Sequence, residues 1–569
     1  MTKKGYIFLL ILVGIIVFFN VLFNGFVWDD EEQILNNVAI HSITNFPNFF
    51  SGSTFNTGGS GSLGGLYYKP LMTTAFSIIY SLFGPSPFFF HFFQVTLHII
   101  NSIILFLVLR YLFKTSGKDL ISFIISLIFL VHPINVEAVV YISDFQEVLF
   151  FFFGILAFWL IVSKRLTSFK KYFLLFLFML SSLLSKESGL LFILIIALYT
   201  LIFSRNYLRN ILITILTTVA TYSFLRFIIA GIYFNKHGLT PISILPVQER
   251  LVSVPKIIVF YFKTFIYPVN LSISQHWIVK NLNTPDFFLP LLLCLLITIV
   301  FGLIFSFLKS KKSDYLKLYI FFIIWLVIGI TLHLQIIFPL DMTVSDRWFY
   351  FPIIGLLGVL GVVFSQFKYN NRIKNIAFLS LGIIIILLSI RTINRNSNWK
   401  DGLTLYGHDV LVYNPAFDLE NNYGVELFRA NRFDEAEKHF AISTQVAPNW
   451  WTNWSNLGVI AERKNKIEEA KIYYQRAIDN GQYYLAYQNL AKIYLVYESP
   501  QKTVDFCEQS LKILPNNGSL WTVLSIAEYK LKQTDKSIIA IKNAYALEPN
   551  QQNSYIYSRL IQNLPLEVQ

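Results

Sequence analysis

The chain of 569 residues is too apolar for a soluble domain, because 55% of its residues are hydrophobic and only 14% are charged. Its net charge is +13, yet residues 401–569 hold 16 Lys+Arg against 19 Asp+Glu, so that residues 1–400 carry +16. This surplus lies mainly in short loops between apolar runs, which argues against nucleic-acid binding. The two cysteines exclude a disulfide framework.

Eleven apolar runs predict membrane spans within residues 1–400. They lie at roughly 5–24, 88–112, 119–141, 147–163, 171–184, 188–204, 210–234, 286–308, 315–337, 348–367 and 374–392. The first run is predicted to remain as a span, since no small-residue cleavage site follows it. Residues 247–268 are apolar but contain Arg250, Lys256 and Lys263, which favours a helix in the plane of the interface.

Loop charges predict the orientation of the spans. One alternating set of loops contains eighteen Lys and Arg against only Asp119 and Asp314. The positive-inside rule assigns that set to the cytoplasm, together with the N-terminus. The other loops and residues 401–569 are then exoplasmic.

Four consecutive acids, Asp29 to Glu32, follow the first span and open an exoplasmic loop at residues 25–87. A short helix is predicted from Asp30. An Asp at a helix start bonds the free N–H groups of the first turn, so a structural role for these acids is an alternative to chemistry. Residues 58–65 are rich in glycine without the Lys-Ser/Thr of a phosphate-binding loop, and predict a flexible connection.

The C-terminal part repeats with a fixed period. Ala436, Ala470, Val504 and Ile538 follow one another at 34 residues, the tetratricopeptide period. The pattern predicts an α-solenoid over 401–569, with a capping helix, about four helix pairs and a groove that binds protein or peptide. Several aromatic residues either line that groove or pack between the repeats: Trp450, Trp451, Trp454, Tyr483, Tyr484, Tyr487 and Trp521.

Several motifs place polar groups at one membrane face, where charged groups are costly and usually functional. They are Trp28-Asp29-Asp30, Tyr68-Lys69-Pro70-Leu71, His132-Pro133-Ile134-Asn135-Val136-Glu137-Ala138-Val139, Asp144-Phe145-Gln146-Glu147, Ser185-Lys186-Glu187 and Asp346-Arg347-Trp348-Phe349-Tyr350-Phe351-Pro352. Each has a structural alternative. His132 and Pro133 are also a helix kink, and Lys69 and Arg347 are also snorkelling cations.

This ordered set of motifs resembles the GT-C superfamily of glycosyltransferases. More narrowly, the chain resembles the subgroup with C-terminal tetratricopeptide repeats, which includes the transmembrane O-mannosyltransferases. The resemblance implies an all-α enzyme that takes a sugar from a polyprenyl-phosphate donor on the exoplasmic face. By motif position, Asp29 is implied to be the catalytic base, with Asp30 as its neighbour or substitute.

The resemblance also implies that Lys69 meets the donor phosphate. The other residues predicted to bind donor or substrate are Tyr68, Lys186, Arg347, His132, Glu137, Asp144, Glu147 and Glu187. Related chains have a basic pair between the acids that correspond to Asp144 and Glu147, whereas this chain has Phe145-Gln146. That difference weighs against a phosphate role for this turn.

The expected function is inverting transfer of one sugar to a protein hydroxyl, in a bacterial inner membrane or an ER-type membrane. A lipid-linked oligosaccharide ligase and a non-catalytic membrane scaffold are the alternatives. No metal site is predicted, although a divalent cation held by Asp29, Asp30 or Asp144 is left open.

Overall fold

The computed structural model describes residues 2–56, 63–64, 67–115, 117–163, 169–233, 240–366, 371–413 and 415–566. Most of the glycine-rich stretch predicted to be a flexible connection lies outside these residues. The chain forms two compact units that divide after Tyr413. Helices make up most of both units, as the predicted all-α class requires. In the described chain, the strands Phe55–Asn56 and Leu63–Gly64 form one short antiparallel pair.

The first unit consists of helical segments that differ widely in length. Its α-helices are Lys3–Phe18, Pro70–Phe83, Pro87–Leu112, Lys118–Val131, Val136–Val140, Phe145–Val162, Phe169–Ser185, Gly189–Phe203, Leu208–Ser223, Val247–Ile266, Leu289–Ser310, Leu316–Thr331, Pro352–Gln366, Asn371–Asn398 and Gly402–Val412. Its 3-10 segments are Phe19–Phe23, Val38–His41, Ile43–Phe50, Pro133–Asn135, Ile142–Asp144, Arg205–Tyr207 and Asp346–Phe349. Its π segments are Glu31–Leu35, Phe224–Ile229 and Thr284–Phe288.

Several of these helices are long and apolar enough to cross a membrane. Among the described residues there are six: Lys3–Phe23, Pro87–Leu112, Ile142–Val162, Arg205–Ile229, Thr284–Ser310 and Asn375–Asn398. A seventh arises if the bent pair Lys118–Val131 and Pro133–Val140 is one span. The chain is therefore a multi-pass membrane protein.

The predicted count of eleven spans is not confirmed. Gly189–Phe203 and Pro352–Gln366 contain 15 residues each, and Leu316–Thr331 contains 16. A helix rises 1.5 Å per residue, so about 20 residues are needed to cross about 30 Å of hydrocarbon. Composition marks these segments as apolar, but it does not show that they end early.

One span is broken at Pro133. Proline has no N–H to donate to the carbonyl of Phe129 one turn earlier, and the segments Lys118–Val131 and Pro133–Val140 meet at 52°. The Nδ2 of Asn135 donates to that carbonyl over 2.8 Å. A broken helix persists within a membrane protein only where such carbonyls find donors.

Neighbouring helices bond the other free carbonyls of the bend. The Nε2 of His98 lies 3.0 Å from the carbonyl oxygen of Leu130, and the Oγ1 of Thr392 donates to the carbonyl of Val131 over 2.7 Å. The bend is therefore fixed to the helices that carry His98 and Thr392.

His132 lies at the same bend and joins it to another helix. Its Nδ1 accepts a hydrogen bond from the N–H of Ile134 over 3.2 Å, so that Nε2 carries the proton and donates to the carbonyl of Phe265 over 3.0 Å. Phe265 lies in the last turn of Val247–Ile266, where carbonyls lack helical partners. The imidazole thus satisfies a free carbonyl.

The helix Gly402–Val412 packs on the first unit. Nη1 and Nη2 of Arg395 donate to the two carboxylate oxygens of Asp409 over 2.6 and 2.9 Å, and the N–H of Ile273 donates to Oδ2 over 2.9 Å. Burial alone would raise the pKa of Asp409, but Arg395 holds this pKa below its usual value. We predicted that this helix caps the repeats, whereas the boundary between the units follows it.

The second unit consists of paired helices. In the described chain these are Phe417–Arg429 with Phe433–Val446, Trp451–Arg463 with Ile467–Asn480, Tyr484–Tyr497 with Pro500–Ile513 and Gly518–Lys530 with Thr534–Leu547, followed by Gln551–Ile561. The second helix of each pair begins 34, 33 and 34 residues after the previous one. The predicted aromatics largely pack between helices; Tyr487, for example, is buried in one repeat core.

Glycines at matching positions let the first two pairs pack closely. A Cβ on Gly424 would lie 2.6 Å from the ring of Phe440, and one on Gly458 would lie 2.5 Å from the ring of Tyr474. Both glycines and both rings are 34 residues apart. The period in the sequence is therefore a period in side-chain size across each helix pair.

Replacement Asp409→Asn is expected to lower the free energy of unfolding by about 3–5 kcal/mol, because it leaves the guanidinium of Arg395 buried without its counter-charge. Asp401→Asn is the matched control, since it makes the same change at the exposed start of this helix, where Asn caps as well as Asp. Unfolding in detergent, followed by tryptophan fluorescence, measures both. Equal losses would contradict the role given to the buried pair.

Candidate active site

Asp30 is used entirely by the fold of the first loop. Its Oδ1 accepts hydrogen bonds from the N–H and the hydroxyl of Ser143 over 2.8 and 2.6 Å, and its Oδ2 accepts one from the N–H of Val27 over 3.1 Å. The side chain is fully buried, and burial raises its pKa to about 7. Asp30 does not cap the following Glu31–Leu35 segment with its side chain, contrary to the structural alternative above.

Asp29, the residue before Asp30, is half-buried and has fewer hydrogen-bond partners. Among the described residues, its carboxylate accepts one side-chain hydrogen bond, from the hydroxyl of Tyr141 over 2.9 Å. Burial raises the pKa of Asp29, while the Tyr141 bond and the charge of Arg347 act in the opposite direction. The raised pKa brings this carboxylate closer to the range in which a general base works near neutral pH.

Trp28, the residue before the two acids, has a strained backbone. Its φ is +57°, a left-handed conformation that bulky residues rarely adopt. The indole stacks on Tyr141, with ring centroids 5.2 Å apart, and the guanidinium of Arg347 lies 5.9 Å above it. The same ring stack therefore holds Tyr141 where it reaches Asp29.

Arg347 is the centre of a buried ionic cluster. Its Nη1 lies 2.8 Å from Oε1 of Glu137 and 3.1 Å from Oδ2 of Asp144, and its backbone N–H donates to Oε2 of Glu137 over 3.0 Å. The hydroxyl of Ser345 also donates to Glu137. Two carboxylates thus neutralise this cation and fix its direction.

The tip of the helical hairpin at residues 185–188 carries two further ion pairs. The ammonium of Lys186 contacts the carboxylate of Glu147. Nη1 of Arg226 lies 2.8 Å from Oε1 of Glu187. Both predicted residues of the tip therefore face charged partners from other helices, as a polar group at the membrane requires.

Lys69 differs from the other cations of this face. It is 8% exposed, and in the described part of the chain no carboxylate lies within 4.0 Å of its ammonium. The ammonium lies 4.2 Å above the ring of Tyr67, whose hydroxyl donates to Asp341 over 2.8 Å. Burial lowers the pKa of Lys69 to about 8, with Lys186 acting in the same direction and Glu187 opposing it.

The structure brings most of the predicted residues together. The charge of Asp144 acts on both Asp29 and Lys69, and the charges of Glu147, Lys186 and Glu187 also reach Lys69. Asp29 and the ammonium of Lys69 therefore belong to one group of interacting charges, here called the charged cluster. Its members come from the first loop, the bent helix pair and the hairpin tip.

Two predicted residues lie outside this cluster of contacts. The hydroxyl of Tyr68 donates to the carbonyl of Phe50 over 3.2 Å, and its ring is fully buried. His132 bonds at the bend as described above. Sequence reasoning missed Tyr141, Ser345 and Tyr67 as partners of charged groups, because neutral hydroxyls carry no signal until their neighbours are known.

Gln146 stands where related chains are expected to have a basic pair, and it donates from Nε2 to Oδ1 of Asp144 over 3.1 Å. An amide here supports the carboxylate without adding charge. Among the described residues, no three side chains of metal-ligating type converge. The divalent cation left open above has no assembled ligand set in this part of the chain.

Comparison with known proteins identifies relatives over most of the chain. Protein O-mannosyl-transferase TMTC3 of Homo sapiens is 24% identical over 97% of this chain and 65% of its own length. Protein O-mannosyl-transferase F38B6.6 of Caenorhabditis elegans is 25% identical over 78% of this chain and 63% of its own length. The chain thus spans about two thirds of the length of these relatives. The predicted resemblance to O-mannosyltransferases with tetratricopeptide repeats is confirmed.

The second unit has matches of its own. A tetratricopeptide repeat family model matches residues 452–480, which cover one of the helix pairs. The solved structure of YrrB, a tetratricopeptide repeat protein described as having an unusual peptide-binding site, covers 28% of this chain at 12% identity, with a TM-score of 0.24.

The two adjacent acids are expected to differ in their effect on stability. Asp30→Asn replaces one acceptor oxygen by an NH2 group that faces an N–H or hydroxyl donor, and should lower the free energy of unfolding by about 1–3 kcal/mol. Asp29→Asn keeps an oxygen for Tyr141 and should change it by less than about 0.5 kcal/mol. Thermal unfolding in detergent compares the variants. The reverse order would show that the contacts of Asp30 are not retained in the membrane protein.

Proposed function

We propose that the chain is a membrane glycosyltransferase that transfers a single sugar, of the mannosyl type, from a polyprenyl-phosphate donor to a hydroxyl group of a protein. The similarity to protein O-mannosyl-transferases supports this class of activity. The observation that carries the proposal is that the charge of Asp144 acts on two groups with few partners, the lightly bonded carboxylate of Asp29 and the ammonium of Lys69, which has no carboxylate partner in the described chain. A scaffold needs neither group.

Asp29 is the general base of the proposed reaction. The carboxylate takes the proton of the acceptor hydroxyl while the hydroxyl oxygen attacks the anomeric carbon. Attack comes from the side opposite the phosphate, so the configuration at that carbon inverts. Asp30, with three donors on its two oxygens, holds the loop on the turn at Ser143 and thereby sets the position of Asp29.

The cations stabilise the negative charge of the leaving phosphate. As the bond from the anomeric carbon to the phosphate oxygen breaks, its electron pair passes to that oxygen and the polyprenyl phosphate gains one negative charge. Lys69 supplies the counter-charge. The bound phosphate becomes the anionic partner that its ammonium otherwise lacks in the described chain. Arg347 and Lys186 are already paired with carboxylates and act mainly by holding those carboxylates in position within the charged cluster.

The proposed reaction takes place on the exoplasmic face, with the N-terminus in the cytoplasm. The distribution of Lys and Arg in the loops supports this orientation. Reporter fusions at Lys311 and after residue 410 should be cytoplasmic and exoplasmic, respectively.

We assign the acceptor protein to the repeat unit, because repeat solenoids present extended binding surfaces.

Asp29→Asn is expected to reduce transfer by about two to four orders of magnitude with little loss of stability, because the amide cannot take the proton. Glu31→Gln is the matched control, since it removes a carboxylate from the same loop and leaves Asp29 intact. Transfer is measured with purified protein, a polyprenyl-phosphate mannose and a peptide that contains Ser and Thr. An Asp29→Asn variant with full activity would remove the first loop from the mechanism.

The donor is tested in cells with and without the gene. Mass spectrometry of exoplasmic proteins and of lipid-linked sugars should show loss of single hexoses on Ser or Thr and accumulation of a monosaccharide-phosphate lipid. Accumulation of a lipid-linked oligosaccharide would instead establish a ligase. No change in either pool would favour the scaffold.

Tyr141→Phe is expected to move the acidic limb of the pH profile of kcat/KM to higher pH. The hydroxyl stabilises the ionised form of Asp29, so its removal raises the pKa of the base, and activity returns only above that higher pKa. Tyr68→Phe is the control, because its hydroxyl bonds a carbonyl and no carboxylate. A uniform loss of activity at every pH would assign Tyr141 to packing alone.

A further inference from the structure

The repeat unit contains a pocket of its own. Its volume is about 420 Å³, within the range of about 300–1,000 Å³ typical of ligand pockets. It lies among the helices Pro500–Ile513, Gly518–Lys530 and Thr534–Leu547. Nine side chains line it: Glu508, Leu511, Lys512, Trp521, Leu524, Glu528, Lys536, Ile539 and Ala540.

The floor and the rim of this pocket have different character. Leu511, Leu524 and Ala540 are buried and make the floor apolar, and Trp521 adds a half-buried indole. Charged residues at the rim are exposed, Lys512 and Lys536 among them. A long side chain with an apolar stem and a polar end matches such a pocket.

Glu528 is the polar group at the floor. It is 4% exposed, and its Oε2 accepts no hydrogen bond from any described residue. Carboxylates are seldom buried in this way, because a buried charge without a partner is costly. Glu528 therefore lines the pocket with a carboxylate that the described part of the repeat unit leaves without a hydrogen-bond donor.

This carboxylate also reduces the stability of the unit. Burial raises the pKa of Glu528 to about 7, against the opposing charge of Lys536 and with the charge of Glu508 acting in the same direction. The folded form thus holds the proton more tightly than the unfolded chain, and stability falls as the pH rises through this pKa. Glutamine would fill the same space without this loss of stability. The presence of an acid instead is therefore explained by binding of a ligand.

We propose that this pocket binds one basic side chain, arginine or lysine, of a partner polypeptide. The cationic end reaches the carboxylate of Glu528, the methylene stem packs on Leu511 and Leu524, and the indole of Trp521 faces the cation. The rim carries Lys512 and Lys536 against Glu508, so its net positive charge disfavours a run of basic residues beside the bound one. Binding here needs none of the transfer chemistry, so the test below does not depend on the proposed function, whether or not the partner is also the acceptor.

The test uses the full chain in detergent and two capped tripeptides, acetyl-Gly-Arg-Gly-amide and its citrulline counterpart, which has the same shape without the charge. Saturation-transfer NMR detects weak ligands of large particles and yields their dissociation constants. The arginine peptide should bind at least about tenfold more tightly than the citrulline peptide, and Glu528→Gln should remove that difference. Asp535→Asn, which removes an exposed charge outside the pocket, should leave it unchanged.

Several results would overturn this proposal. Equal affinities of the two peptides would do so, as would an equal loss of the affinity difference in Glu528→Gln and Asp535→Asn. So would the absence of saturation transfer from the wild-type chain at 10 mM peptide, which is about the weakest binding that a single buried charge pair would give. Thermal unfolding at pH 8 supplies the folding control. The Glu528→Gln variant should unfold no earlier than the wild type, because it removes an unpaired buried carboxylate; earlier unfolding would assign Glu528 a structural partner and overturn the ligand site.

Discussion

The break at Pro133 is the constraint on which the membrane unit depends. Carbonyls freed inside a bilayer must be bonded by protein, and here the donors come from Asn135, His98 and Thr392. Two of these donors lie on other helices, so the break fixes those helices as well. Beyond the break, Glu137 emerges in a direction that a straight span would not give it, and there it meets Arg347.

The cations of the charged cluster have two different roles, because burying a charge costs more free energy when the charge has no partner than when it is paired. Arg347 lies between two carboxylates, and such a pair repays the cost of its own desolvation only through good geometry. It therefore organises the site more than it adds net positive charge. Lys69 has no such partner in the described chain, and its lowered pKa records that lack.

Sequence patterns predicted what repeats or is periodic, and failed where distant residues decide. The 34-residue period predicted the helix pairs, since Gly424 and Gly458 each receive a ring from the second helix. Asp29 and Asp30 are chemically identical neighbours in the sequence. Only contact with Ser143, 113 residues further along, separates a bonded acid from an available one. The predicted number of spans is not confirmed for a related reason, because short helices are as apolar as long ones and composition does not separate them.

The position of Asp409 also determines where this protein can be divided. Composition changes near residue 400, which suggests a cut at that point for a chain without repeats. Such a cut would strip the counter-ion from Arg395, which is buried in the last long apolar helix, and would expose the loop that Ile273 anchors. A membrane unit prepared for biochemical work should therefore retain the chain through Tyr413, and the repeats should be prepared from the residues that follow it.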